Sequence, residues 1–163
     1  MRKVYNNTFT LIVLSLFLSA YSYGQDLHRI NLVPQPKLVV EKSGNFLWTG
    51  KTPIYTDAAF TKLTQFFAAE SGLSAPKPFI KNPTTGIPAI VFRKQKFPDS
   101  SGAEAYKINI TQKQVLVIAA TEQGALRAMF TLLQLRMLQP EMSLIPCGEI
   151  SDSPRFGYRG LHL

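Results

Sequence analysis

Residues 104–139 constrain the rest of the chain most, because they read without interruption as strand, tight turn, strand and long amphipathic helix. Tyr106, Ile108 and Ile110 alternate with Lys107, Asn109 and Thr111, the period of two expected of a strand with one face in a core. Residues 111–114 are polar and supply the turn. Residues 115–120 are then continuously apolar and rich in β-branched side chains, which predicts a central strand covered on both faces. Thr121 is placed to cap a helix, and Glu122 puts a negative charge in its first turn, where the macrodipole favours one. Leu126, Met129, Phe130, Leu133 and Met137 follow at helical spacing, with Leu132 and Leu135 widening the stripe until Pro140 ends it. Burial of such a stripe, at about 1.5–3 kcal/mol per large side chain, outweighs the ~1 kcal/mol that Gly124 costs near the helix start.

The remaining elements arrange themselves around that unit. Residues 28–37 carry Pro34 and Pro36 in an extended arm. Residues 38–41 and 46–48 are two short strand candidates on either side of Ser43-Gly44-Asn45, a turn signal, and residues 53–56 fit a short edge strand. From Ala58 the period changes: Phe60, Leu63, Phe67 and Ala68 share one side, Phe66 flanks it and Gly72 is a natural stop. Pro76, Pro78, Pro83, Pro88 and Gly86 make 73–88 a loop, with a short extended piece at Phe79 and Ile80. Residues 89–93 form a compact apolar strand. After the long helix, 144–146 and 149–152 read as an extended connector ending at Ser153-Pro154. The order of strands, helix, three strands and helix predicts an α+β fold, a mostly antiparallel sheet with two helices packed on one face. Residues 155–163 then look like the start of something else, since Tyr158, Leu161 and Leu163 make an apolar strand without a partner.

With 163 residues the chain has room for one domain with a substantial core. Its mean hydropathy of +0.02 is that of an ordinary globular protein. Arg2 and Lys3 precede an apolar stretch at 11–20 (LIVLSLFLSA), and Ser22 and Gly24 are small residues where a signal peptidase would read them. Residues 1–24 are therefore predicted to be a signal peptide cleaved before Gln25. The apolar stretch is too short to serve comfortably as an uncleaved, membrane-spanning anchor. The mature chain is expected to be exported, periplasmic or extracellular, with no stable membrane anchor.

Of 18 basic and 10 acidic residues, Arg2 and Lys3 leave with the signal peptide, so the mature charge is +6. Such a charge could attract nucleic acid. The only local cluster, Arg93, Lys94 and Lys96, lacks interleaved aromatic residues, so it reads as a solvated strand end and no nucleic-acid partner is expected. Cys147 is the single cysteine, which excludes an intrachain disulfide and paired-cysteine metal sites. His28 and His162 lie at opposite ends. No metal and no cofactor is expected.

Acid–base chemistry on glycosides needs paired carboxylates. Here the closest acidic pair is Glu149 and Asp152, which in an extended segment read as solvated charges. No G-x-S-x-G turn presents a serine nucleophile. Asn109-Ile110-Thr111 is a formal glycosylation sequon inside a strand. Trp48, beside a turn, is either a core edge or a sugar platform. Arg159 lies between Tyr158 and Gly160 in the apolar terminal segment, where a guanidinium needs a carboxylate or a polar ligand to offset desolvation. It is either a salt bridge at a strand end or a fork of donors aimed at a ligand's hydroxyls.

The tail Ile150-Ser151-Asp152-Ser153-Pro154-Arg155-Phe156-Gly157-Tyr158-Arg159-Gly160-Leu161-His162-Leu163 closely resembles the I-x-D-x-P-R-F-x-x-R-G-L-x-L-D signature of β-N-acetylhexosaminidases, glycoside hydrolase family 20. Upstream, residues 104–108, Ile118-Ala119-Ala120, Gly124-Ala125-Leu126-Arg127 and Thr131-Leu132-Leu133-Gln134-Leu135 are similar to that family's N-terminal, non-catalytic α+β domain. Pro34-Gln35-Pro36 is similar to its opening. The resemblance covers residues 30–163.

The resemblance implies that the tail enters the first strand of a TIM barrel and that residues 25–148 form an accessory domain that packs on the barrel and supports it. On this division residues 149–163 are the connector and first barrel strand. Hydrolysis in the family is retaining and substrate-assisted: the substrate's 2-acetamido oxygen attacks the anomeric carbon, an Asp orients it, and the adjacent Glu is general acid/base. This chain has no Asp-Glu pair to match them. Of the substrate-binding residues only the arginine that contacts the sugar hydroxyls has a counterpart, Arg159. The expected function is thus that of the non-catalytic N-terminal portion of an exported β-N-acetylhexosaminidase, inactive alone, which meets N-acetylhexosamine-containing glycans through the missing barrel. A free-standing exported carbohydrate- or protein-binding module, using the sheet face or Trp48, is the alternative.

Overall fold

Seven strands and two helices account for most of the residues described in the computed structural model, which are 30–79, 87–97, 102–138 and 143–154. The strands are β1 (Leu38–Leu47), β2 (Ile54–Thr56), β3 (Lys77–Pro78), β4 (Ala89–Lys94), β5 (Tyr106–Ile110), β6 (Gln114–Ala119) and β7 (Leu144–Asp152). The helices are α1 (Thr61–Ser71), entered through a 3-10 turn at Ala58–Phe60, and α2 (Glu122–Met137). All strands join one sheet in the order β1-β7-β5-β6-β4-β2-β3. It is mixed: β7 pairs antiparallel with β1 and β5, and β5 with β6. On the other side β6, β4, β2 and β3 run parallel. The expected α+β class holds, and the antiparallel character belongs to the β1–β6 half.

Local chemistry explains the helix ends. The Thr121 hydroxyl accepts the Gly124 N–H at 3.2 Å, satisfying one orphan donor of α2, and Glu122 sits in the first turn. At the end of α1, Gly72 takes the left-handed conformation at φ 64°, and its N–H reaches back to the carbonyls of Ala68 and Ala69. Between β5 and β6 the turn is closed by Thr111, whose N–H donates to the Gln114 carbonyl at 2.8 Å.

Both helices lie on the same face of the sheet and share one core. From the sheet it takes Ile90, Phe92, Ile108, Ile110, Val115 and Val117, and from the helices Leu63, Phe67, Met129 and Leu132. Phe67 is met edge-on by Trp48 at 5.6 Å and by Phe92 at 5.5 Å, the tilted geometry that aromatic quadrupoles favour.

Four expectations need correction. Residues 38–41 and 46–48 are not two strands around a turn but one strand, β1, paired along its length with β7. The turn signal is absorbed as a bulge: residues 42–44 fall between the pairs Glu41↔Gly148 and Asn45↔Pro146, and Gly44 supplies the required φ of 96°. Residues 144–146 and 149–152 likewise form one strand rather than a connector, because Ile145 and Ile150 reach the core and β7 is hydrogen-bonded on both edges.

The β6 strand is central, but it is not covered on both faces. Val115, Val117 and Ala119 are buried, whereas Leu116 and Ile118 are half-exposed on the side away from the helices. The fourth correction concerns which face of α2 meets the sheet. Gly124, Ala125, Ala128, Met129, Leu132 and Leu135 are buried, while Phe130 is 48% and Met137 76% exposed. Small residues let the helix axis approach the sheet closely, so the alanines and glycine win the inner face over the bulkier stripe.

Candidate functional site

Helix α2 is apolar on two sides, and the second side makes a groove. Leu126, Phe130, Leu133 and Met137 recur every three or four residues, so they line up along one flank. A helix with apolar residues on opposite faces is one built to be covered twice. The groove beside it has a volume of about 720 Å³. Its far wall is the arm that precedes β1, at Leu32, Val33 and Pro34.

Gln134 holds that arm in place. Its Nε2 donates to the Val33 carbonyl at 2.8 Å, and its Oε1 accepts the Val33 N–H at 3.3 Å. One side chain thereby satisfies both backbone groups of a residue outside any strand, as a neighbouring strand would. Val33 itself is 76% exposed and adds to the apolar wall.

The floor of the groove is polar. The Tyr106 and Thr131 hydroxyls are 2.8 Å apart and hydrogen-bonded. Burial pushes the Tyr106 phenol above its ordinary value, partly offset by the bond to Thr131, with the Asp152 carboxylate adding to the rise. Arg127 Nε donates to Glu104 Oε2 at 3.2 Å, tying α2 to the segment before β5. At the end where β7 leaves the sheet, Asp152 Oδ1 accepts the Lys37 N–H at 3.3 Å, and Lys37 Nζ donates to Ser153 Oγ at 2.7 Å. Apolar walls and a floor of already paired polar groups suit a protein surface better than a reacting small molecule.

The residues singled out from the sequence scatter. Trp48 is fully buried against Phe67 with Arg136 5.0 Å above its ring, which makes it a core residue and not a sugar platform. Glu149 and Asp152, three apart on a strand, point to opposite faces. On the outer face, Glu149 Oε1 accepts from Lys42 Nζ at 2.5 Å, and that hydrogen bond holds its carboxyl below the usual range. Arg93 is knit into the fold: it donates to Asp57 Oδ2 at 3.2 Å and stacks 3.9 Å over Phe79, and Lys94 gives its backbone N–H to the same Asp57 oxygen at 2.8 Å. Asn109 lies in β5 with its side-chain oxygen buried, and Cys147 is a buried thiol.

Arg159 lies outside the described residues, as do residues 1–24, His28 and His162. The opening of the tail signature is described, and Asp152, Ser153 and Pro154 line the groove. The groove was not foreseen, although its signal was present: a helix whose apolar residues overfill a single stripe.

Fold and sequence both match known proteins. Residues 29–153 match glycosyl hydrolase family 20, domain 2. The beta-hexosaminidase subunit alpha of Bos taurus is 30% identical over 113 residues, which cover 66% of this chain and 21% of that protein. A beta-hexosaminidase of Porphyromonas gingivalis is 28% identical over 151 residues, covering 82% of this chain and 18% of that one. The chain thus spans about a fifth of the length of these curated relatives. Among solved structures, the chitobiase of Flavobacterium johnsoniae superposes with a TM-score of 0.60 at 26% identity, over 86% of this chain and 23% of that one. With 125 of its residues in the match, this chain belongs to glycosyl hydrolase family 20 and carries that family's domain 2.

Proposed function

We propose that the chain is the non-catalytic N-terminal portion of an exported β-N-acetylhexosaminidase, and that its domain serves as the platform on which the catalytic barrel rests. The observation that carries this reading is the match of residues 29–153 to the family's domain 2. The second apolar flank of α2 supports it, because Phe130 and Met137 lie open along the groove that Pro154 also lines. Covering that flank would remove two large side chains from water at about 1.5–3 kcal/mol each when fully buried.

The remaining assignments follow from the resemblance and, for residues 1–24, from the basic and apolar pattern of the N-terminus. Residues 1–24 direct export and are removed, the platform runs from residue 25 through the end of β7 at Asp152, and 153–163 lead into the first barrel strand. Among the described residues no helix is long and apolar enough to cross a membrane. Arg159 holds hydroxyls of the terminal N-acetylhexosamine, and the intact enzyme releases that sugar through participation of its own acetamido group, with an Asp-Glu pair supplied from further along the barrel. This chain's own contribution is positional, and its contact with glycans is made through the barrel. Purified residues 25–163 are expected to give no turnover of a chromogenic N-acetylglucosaminide. Turnover that persists through repurification, and is lost on substituting a residue within this chain, would overturn the reading.

A further inference from the structure

We draw no further inference here: the strongest candidate outside the groove, the half-open outer face of β6 at Leu116 and Ile118, is an apolar sheet face, and nothing in the structure shows what covers it.

Discussion

Gly124 sits in the first turn of α2 with its α-carbon pressed against the chain before β5. A Cβ there would lie 2.4 Å from the Ala105 carbonyl oxygen, which is backbone and cannot swing aside. Alanine normally gains about 1 kcal/mol over glycine in a helix, yet overpacking of this kind costs about 1–3 kcal/mol. Gly124→Ala is therefore expected to be destabilising in urea unfolding, against the propensity trend. From sequence the glycine was legible only as a weakness of the helix, since close approach of two backbones separated by nineteen residues leaves no local trace. Tyr106 gives a second test at this scale. Its phenol is pushed above the ordinary value of 10.0 by burial, so the folded state holds the proton more tightly than the unfolded one. The resulting stabilisation is complete below pH 10 and is lost as pH climbs through the raised value. Tyr106→Phe should flatten the fall in stability that begins near the ordinary tyrosine value and continues above it, measured by denaturant titration at a series of pH values. An unchanged slope would mean that other groups carry the fall.

The elements were legible where periodicity alone decides them. The start of α2 at Thr121, the stop of α1 at Gly72 and the β5-turn-β6 unit lie where alternation, capping and turn residues put them. Pairing was less legible. The Ser43-Gly44-Asn45 signal is identical for a hairpin and for a bulge, and only the distant partner β7 distinguishes them. The facing of α2 was hidden for a related reason: apolar residues cover more than half its circumference, so the sequence offers two stripes and packing selects the one with small side chains. This selection can be tested by comparing the two flanks. Replacing Phe130 and Met137 together by glutamine, a good helix former, should change the stability of residues 25–163 by no more than about 0.5 kcal/mol while lowering their self-association in analytical ultracentrifugation. Leu132→Ala, on the buried flank, should cost about 2–5 kcal/mol. Equal losses from the two flanks would mean that the groove is already filled in the isolated chain.

On the scale of the whole molecule, family membership rested on the tail signature together with short upstream matches, and residues 29–153 bear it out. Arg159, the one candidate for sugar contact, lies outside the described residues, and Trp48 was ambiguous until its burial against Phe67 placed it in the core. The order of strands has a further implication. Strand β7 lies between β1 and β5, with Leu38 opposite Ser151 and Ile108 opposite Ile150. A chain cut before Leu144 leaves β1 with no neighbour among the described strands, so residues 25–143 are expected to lack a cooperative unfolding transition and to be digested rapidly by thermolysin. A sharp transition in that truncated form would show that β1 finds another partner. During synthesis, the first of the described strands to leave the ribosome must wait for the last of them: β1 stays unzipped until β7 has emerged, with Leu47 waiting for Leu144 and Leu38 for Ser151. Over that interval the nascent polypeptide stays open, because the clasp that would lock it shut has not yet been made.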